Sequence, residues 1–189
     1  MKNIKNLGII TKEGFEVKNL QRFPSMEWGD EGGLQADLYL NGIKILRLYQ
    51  EGNGGPAITY LTEEGSIHLG EIRSKGLEFL KRVDKNYGPN TEYNWLKNKT
   101  VKTFNDDDWE AVINNIEEYF DLVRNAAHSF RAGYKAVVCL QNDLQTRFLQ
   151  YKVSDITEAE VREYMKKTGL DKEYNEIKIL LPVPELSIL

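Results

Sequence analysis

The chain is poor in the residues that usually hold a fold together covalently or through a metal. Its single cysteine, Cys139, excludes an intramolecular disulfide and a cysteine-rich zinc site, and it fits a reducing compartment. Histidine is also scarce, because the chain has only His68 and His128, and neither lies in an H-E-x-x-H or H-x-E pattern. The sequence therefore predicts neither a zinc hydrolase nor a zinc deaminase.

Long apolar runs are absent as well. The longest uncharged apolar run, Ala136 to Leu140, is far shorter than the ~20 residues that a helix needs to cross a bilayer. The N-terminal residues include Lys2 and Lys5, but no apolar stretch follows them. We therefore expect no secretory signal, no membrane partner and a cytoplasmic location.

Charge of one sign does not dominate the composition. With 25 Lys and Arg against 29 Asp and Glu, the net charge is −4, which excludes a uniformly basic nucleic-acid binder. The chain has 189 residues, of which 41% are apolar and 11% aromatic. A chain of this size and composition buries a core without staples and forms one or two domains.

The first third of the sequence predicts an antiparallel meander. Asn41-Gly42 favours a type I′ turn, so we expect a hairpin between residues 34–40 and 43–49 in which Leu38 faces Ile45 and Ala36 faces Arg47. Residues 15–23 and 57–61 have the composition of two further strands. A helix-compatible spacing then begins at Glu71 and runs to Tyr87, although it includes Gly76.

The second half begins with the clearest helix pattern, after a polar stretch at 91–105 that is typical of a linker. Asp106, Asp107 and Asp108 are candidate caps for this helix. One apolar stripe follows at helical spacing, formed by Trp109, Val112, Ile113, Ile116, Phe120, Val123 and Ala127.

The remaining elements complete an α+β order. Residues 135–141 and 146–153 predict a second hairpin, and 176–181 a final strand. Thr157 and Glu160 match a capping box for a helix over 158–168, with Gly169 as its C-terminal stop. We expect a meander with a helix in residues 1–90 and an αββαβ half in residues 91–189, with the option that both pack as one unit.

One group of carboxylates is a candidate metal site. Glu27, Asp30, Glu31 and Asp37 lie close together in a glycine-rich stretch, and carboxylates are the ligands that Mg²⁺ prefers. Such a site would support metal-dependent cleavage of phosphodiesters, with His68 as a further participant. The other interpretation of the same residues is a set of solvated turns.

The charges of the long helix are more distinctive. Between Asp106 and Asp121 the sequence has seven acids and no base. The acids at the start of the helix oppose the helix dipole, but those further along gain nothing from it and repel one another. An acidic face of this kind would attract a basic partner. The candidate contact residues are Asp107, Glu110, Glu117, Glu118 and Asp121; the other interpretation is the solvated side of an amphipathic helix.

The segment from Glu71 to Lys102 has the opposite balance. It contains eight bases and four acids, with tyrosines and a tryptophan between them. Bases and aromatic rings together are typical of contacts to a nucleic-acid backbone and its bases. The candidate nucleic-acid contacts are Arg73, Lys75, Lys81, Arg82 and Lys85.

Part of the N-terminal region resembles a known module. The run Leu34-Gln-Ala-Asp-Leu-Tyr-Leu-Asn-Gly-Ile-Lys, followed by Gly52-Asn-Gly-Gly-Pro, is similar to an L-Y-x-N-G-x-K hairpin with a G-x-G-G turn in small proteins of phages and mobile elements. The similarity covers about residues 15–61. It implies a shared fold element, and through the size class it implies an inhibitor of bacterial defence systems, such as an anti-CRISPR protein.

Two functions follow as hypotheses. The first is a binding protein without a cofactor that blocks a host effector of nucleic-acid handling through its acidic helix. The second is a Mg²⁺-dependent nuclease or hydrolase built on the carboxylates between Glu27 and Asp37. The lack of a catalytic motif favours the first and leaves an enzymatic role open.

Overall fold

The computed structural model describes residues 5–23, 32–52, 55–83, 99–142, 145–181 and 187–188. The chain divides into two units, Met1–Glu118 with Ile188–Leu189, and Tyr119–Ser187. The domain boundary predicted at residues 90 and 91 lies outside the described residues. The architecture is α+β, as the sequence predicts.

The first unit is built on an antiparallel meander. Strands β1 to β5 pair with their sequence neighbours, and the sheet order is β5-β4-β3-β2-β1-β9. The strands are β1 (Ile9–Ile10), β2 (Phe15–Phe23), β3 (Gly33–Leu40), β4 (Ile43–Gln50), β5 (Ile58–Leu61) and β9 (Ser187–Ile188). The predicted strand over 15–23 is confirmed, and the one over 57–61 begins one residue later.

The β3–β4 hairpin has the predicted turn but not the predicted register. Asn41 and Gly42 both have positive φ, 51° and 82°, as a type I′ turn requires. Beyond Lys44 the pairing skips Ile45, so Leu38 faces Leu46, not Ile45. The prediction was wrong because it assumed no β-bulge. The bulge moves Leu46 and Leu48 onto the face of Leu38, where they are buried.

The bulge also positions the first helix. The backbone N–H of Thr62 donates to the carbonyl of Ile45 at 3.0 Å, and the Thr62 hydroxyl donates to the same oxygen at 3.1 Å. The Thr62 hydroxyl oxygen also accepts from the N–H of Gly65, which caps α1 (Glu63–Ile67). The carbonyl of the bulged residue Ile45 therefore anchors a helix N-terminus, and the sequence pattern did not predict this helix.

Helices cover one face of the sheet. The ring of Phe15 lies edge-on to Phe79, at 6.3 Å between centroids, and to Trp109, at 6.1 Å. Phe79 belongs to α2 (Leu69–Val83) and Trp109 to α3 (Asp106–Arg131). The helix predicted over 71–87 is thus present up to Val83, and residues 84–87 lie outside the described part. The start of α3 is confirmed.

The second unit is a three-stranded sheet with helices on both faces. Its order is β7-β6-β8, and both pairs are antiparallel. Alternate residues of β6 pack on different helices: Val137 and Cys139 on the C-terminal part of α3, Val138 and Leu140 on α4. The elements are β6 (Ala136–Gln141), β7 (Thr146–Tyr151), α4 (Glu158–Thr168), a 3-10 turn (Leu170–Lys172) and β8 (Glu176–Leu180).

The central position of β6 explains its unbroken apolar run, since a strand covered on both faces has no polar side. Cys139 is fully buried there. The capping box of α4 is confirmed, and Gly169 ends the helix with φ 77°. Among the described helices, none is long and apolar enough to cross a membrane.

Candidate interaction surfaces

The acidic start of α3 is held by contacts within the first unit. Asn105, not one of the three aspartates, caps the helix: its side-chain oxygen accepts from the N–H of Asp108 at 3.2 Å, and Asp108 accepts from the N–H of Asn105 at 2.7 Å. Asp108 is 1% exposed and also pairs with Lys99 at 2.9 Å. The predicted capping region is therefore right and the capping residue is wrong by one position.

The carboxylates of Asp106 and Asp107 contact β5 and the residue before it. The N–H of Thr59 donates to Oδ2 of Asp106 at 3.1 Å, and the N–H of Ala57 donates to Oδ1 of Asp107 at 3.4 Å. These amides point away from β4, because the hydrogen-bonded pairs of the ladder are set by Ile45 and Thr62. Asp107, a predicted contact residue, stays exposed while it makes this bond.

Glu117 does not lie on the exposed acidic face that the helix spacing predicted. It is 8% exposed, and Nε and Nη2 of Arg22 both donate to its Oε2. Lys5 reaches its Oε1 at 3.2 Å. The prediction was wrong because β2 brings a cation against this side of α3. Glu117 is an internal ion-pair residue of the first unit.

The other predicted contact residues remain at the surface. Glu118 is exposed and Glu110 is partly exposed, both in the first unit. Asp121 belongs to the second unit and pairs with Arg124 at 3.2 Å, one turn along the helix. The predicted contact residues of α3 that lie at the surface of the first unit are thus Asp107, Glu110 and Glu118, which we call the α3 acidic surface.

The predicted basic segment does not form a one-signed patch in its described part. Arg82 donates two hydrogen bonds to Glu13, at 2.7 and 2.9 Å, and Lys75 lies 3.6 Å from Glu71. Arg73 and Lys81 are partly exposed, whereas Lys85 lies outside the described residues. Arg82 and Lys75 therefore contribute to acid–base pairs.

Asp37 is the described member of the carboxylate group proposed for a metal, and its oxygens bind cations of the protein. Nε and Nη2 of Arg47 donate to its two oxygens at 2.6 and 3.0 Å, Lys44 lies at 3.0 Å, and Asn19 donates at 2.9 Å. Burial by itself would raise the pKa of Asp37, but these hydrogen bonds and the charge of Lys44 lower it to about 2. Asp37 is therefore an ionised, buried carboxylate that links β2, β3 and β4 through its hydrogen bonds and ion pairs.

The other three members, Glu27, Asp30 and Glu31, lie outside the described residues. Within the described part of the chain, no group of three or more His, Cys, Asp or Glu side chains is placed to hold a metal. The Mg²⁺ site remains a prediction from the sequence, and Asp37 is engaged by Arg47 and Lys44 instead.

His68 lines a shallow groove in the first unit. The groove has a volume of about 200 Å³ and is bordered by the end of the β3–β4 hairpin and the junction of α1 with α2. Its lining includes Ile43, Ile45, Glu64, His68 and Glu71, but not Asp37. His68 is therefore placed in a different site from the Asp37 carboxylate.

The second face of the first sheet carries a set of residues that the sequence patterns did not single out. The register places Tyr60, Arg47, Asp37 and Lys18 in one row across four strands. A second row contains Tyr49 beside Gln35, and a third pairs Lys44 with Tyr39. We call this the aromatic–basic face, formed by Lys18, Phe23, Tyr39, Lys44, Arg47, Tyr49 and Tyr60.

Two contacts organise this face. The ammonium of Lys18 lies 4.5 Å from the centre of the Tyr39 ring, and Phe23 stacks on Tyr49 at 5.8 Å between centroids. The alternation of side chains along β3 and β4 would predict which residues belong to this face if the register were known. The bulge at Ile45 hides it, because without the bulge Arg47 and Tyr49 are assigned to the apolar face.

Comparisons with models of protein families, with curated proteins and with solved structures found no match to this chain.

Proposed function

We propose that the protein is a non-catalytic binding protein that occupies a basic surface of a host effector of nucleic-acid handling. The observation that carries this proposal is the one-signed charge of α3: seven acids and no base between Asp106 and Asp121. Asp107 and Glu118 are exposed and Glu110 is partly exposed. Carboxylates at the surface speed association with a basic partner and make it sensitive to salt.

The burial of Glu117 sharpens the contact set. Since Arg22 and Lys5 already neutralise Glu117, its charge contributes little to the attraction of a partner. The α3 acidic surface, Asp107, Glu110 and Glu118, is the part of the helix that would meet the partner. The resemblance of residues 15–61 to phage and mobile-element proteins supports an inhibitor of bacterial defence, of the anti-CRISPR class, that acts in the cytoplasm.

The test is binding to a panel of purified, guide-loaded CRISPR effector nucleases, measured by biolayer interferometry together with DNA cleavage. We expect one member to bind and to lose activity. The double variant Glu110→Lys and Glu118→Lys should then bind at least about tenfold more weakly, chiefly through a slower association rate. Inhibition that is unaffected by this variant would contradict the proposed surface.

A matched control separates the position of the charges from their number. Glu64 and Glu78 are exposed in the same unit, on α1 and α2. The double variant Glu64→Lys and Glu78→Lys changes the net charge by the same amount. It should retain binding; an equal loss in both double variants would indicate a general charge effect and exclude the α3 acidic surface as the contact.

A further inference from the structure

The aromatic–basic face brings tyrosine rings and basic side chains together on one side of the first sheet. Its three tyrosines lie on three neighbouring strands: Tyr39 on β3, Tyr49 on β4 and Tyr60 on β5. The register places them in three different rows, Tyr60 beside Arg47, Tyr49 beside Gln35 and Tyr39 beside Lys44, so the rings are spread over the face and do not stack on one another. Tyr60 is 58% exposed and Tyr39 and Tyr49 are partly exposed.

The net charge of this face is opposite in sign to the net charge of the whole chain. Lys18, Lys44 and Arg47 contribute three positive charges, and Glu16 and Asp37 contribute two negative ones. The face is therefore net positive, whereas the chain has a net charge of −4. This local excess favours a ligand with negative charge and flat rings.

From this juxtaposition we propose that the aromatic–basic face binds single-stranded nucleic acid. Bases stack on Tyr39, Tyr49 and Tyr60, and phosphates are bound by Lys18, Lys44 and Arg47. Stacking is tolerant of sequence because every base has a flat face, and bases in a duplex do not offer it. This site is separate from the α3 acidic surface, so its test does not depend on the proposed partner.

The ion pairs of this face leave some hydrogen-bond donors of Arg47 available to a ligand. Arg47 uses two of its five N–H groups on Asp37, so three remain for a phosphate. Asp37 is buried, with 1% of its surface exposed, and its carboxylate holds the guanidinium of Arg47 in place. The Arg47 side chain itself is 46% exposed, so a ligand in solvent can reach it. Arg47 thus lies beside Tyr60 in a fixed geometry, which reduces the entropy lost when a phosphate binds.

The experiment is fluorescence anisotropy with fluorescein-labelled dT20 and U20 at 50 mM and 300 mM NaCl. We expect saturable binding that weakens as salt rises, because phosphate contacts release counterions. A duplex of the same length should bind at least about tenfold more weakly. Absence of binding to both single strands at 50 mM NaCl, or equal binding of the duplex, overturns the proposal.

Variants identify the face. Tyr60→Ala should weaken binding at least about fivefold, and Tyr60→Phe should retain it, since the ring and not the hydroxyl stacks. Lys18→Gln should reduce the salt dependence. Tyr164→Ala, on α4, removes a tyrosine that is 44% exposed in the second unit and serves as the matched control. An equal loss in Tyr164→Ala, or none in Tyr60→Ala, excludes this face; thermal melts establish that each variant is folded.

Discussion

Arg22 on β2 and Glu117 on α3 are joined through one carboxylate oxygen: Nε and Nη2 of Arg22 donate to Oε2 of Glu117 at 3.0 and 2.8 Å. The same Arg22 Nη2 donates to Asn114 at 2.6 Å, one turn earlier on the helix. The pair fixes the first part of α3 against the meander. Glu117, although it belongs to the acidic segment of α3, is thus paired with a cation 95 positions away in the sequence.

The first prediction concerns this pair. Glu117→Gln removes the acceptor charge and leaves Arg22 and Lys5 without their anion, so we expect a loss of about 2 kcal/mol in the free energy of unfolding. The loss stays below the roughly 3–5 kcal/mol of a fully buried pair because both cations are partly exposed. Urea denaturation measures it. Glu118→Gln, at the neighbouring exposed position, should change stability by less than about 0.5 kcal/mol, and an equal effect of both variants would contradict the assignment.

The second prediction is a dependence of stability on acid pH through Asp37. Its pKa is lowered from 3.8 to about 2 in the folded chain, so its contribution is complete above pH ~4 and is lost as the pH falls through about 2. The corresponding contribution is about 2 kcal/mol. Asp37→Asn should therefore be less stable at pH 7 and should depend less on pH between about 4 and 2.

Chemical denaturation at a series of pH values tests the Asp37 prediction. Asp155→Asn, at an exposed position of the second unit, serves as the control and should keep the wild-type pH profile. A parallel profile for Asp37→Asn and the wild type would show that Arg47 and Lys44 do not stabilise the Asp37 carboxylate.

The third prediction concerns Gly76, which lies in the middle of α2 although glycine weakens a helix. A Cβ at this position would lie 2.8 Å from Cζ of Phe104 and 3.0 Å from Cζ3 of Trp109, both of which are buried. Gly76→Ala should therefore cost about 1–2 kcal/mol, although alanine is the better helix former. Gly70→Ala, in the same helix with nothing within 4 Å of the added carbon, should be neutral or stabilising. Thermal melts compare the two, and stabilisation by both would disprove the close approach.

The fourth prediction concerns the capping box of α4. Hydrogen bonds from the backbone N–H and the hydroxyl of Thr157 hold the pKa of Glu160 below its usual value. Thr157→Ala removes the hydroxyl, so we expect a loss of about 1 kcal/mol and faster hydrogen exchange at the Glu160 amide. Thr157→Ser keeps the hydroxyl and should exchange like the wild type. Identical exchange in all three proteins would mean that the hydroxyl does not cap the helix.

The sequence predicted those elements whose signals are local. The turn at Asn41-Gly42, the capping box at Thr157 and the stop at Gly169 each depend on residues within a few positions, and all are confirmed. The β2 strand was also predicted, from composition, and the start of α3 was predicted from capping preference. Local geometry fixes these features before any tertiary contact forms.

The features that sequence reasoning missed depend on contacts between distant residues. Glu117 is neutralised by Lys5 and Arg22, which lie 112 and 95 positions away. The bulge at Ile45 shifts the hairpin register by one residue, and that shift decides whether Arg47 faces Asp37 or the core. Hence the aromatic–basic face emerges only when the register is known.

The hydrogen bonds that Asp106 and Asp107 accept from the amides of Thr59 and Ala57 affect self-association of the protein. β5 is the outermost strand of its sheet, and Ile58, Tyr60 and Leu61 are exposed along it. A bare strand of this composition is a template for strand addition and aggregation. Because Asp106 and Asp107 accept hydrogen bonds from two of the outward amides, the start of α3 opposes the addition of a further strand at this edge.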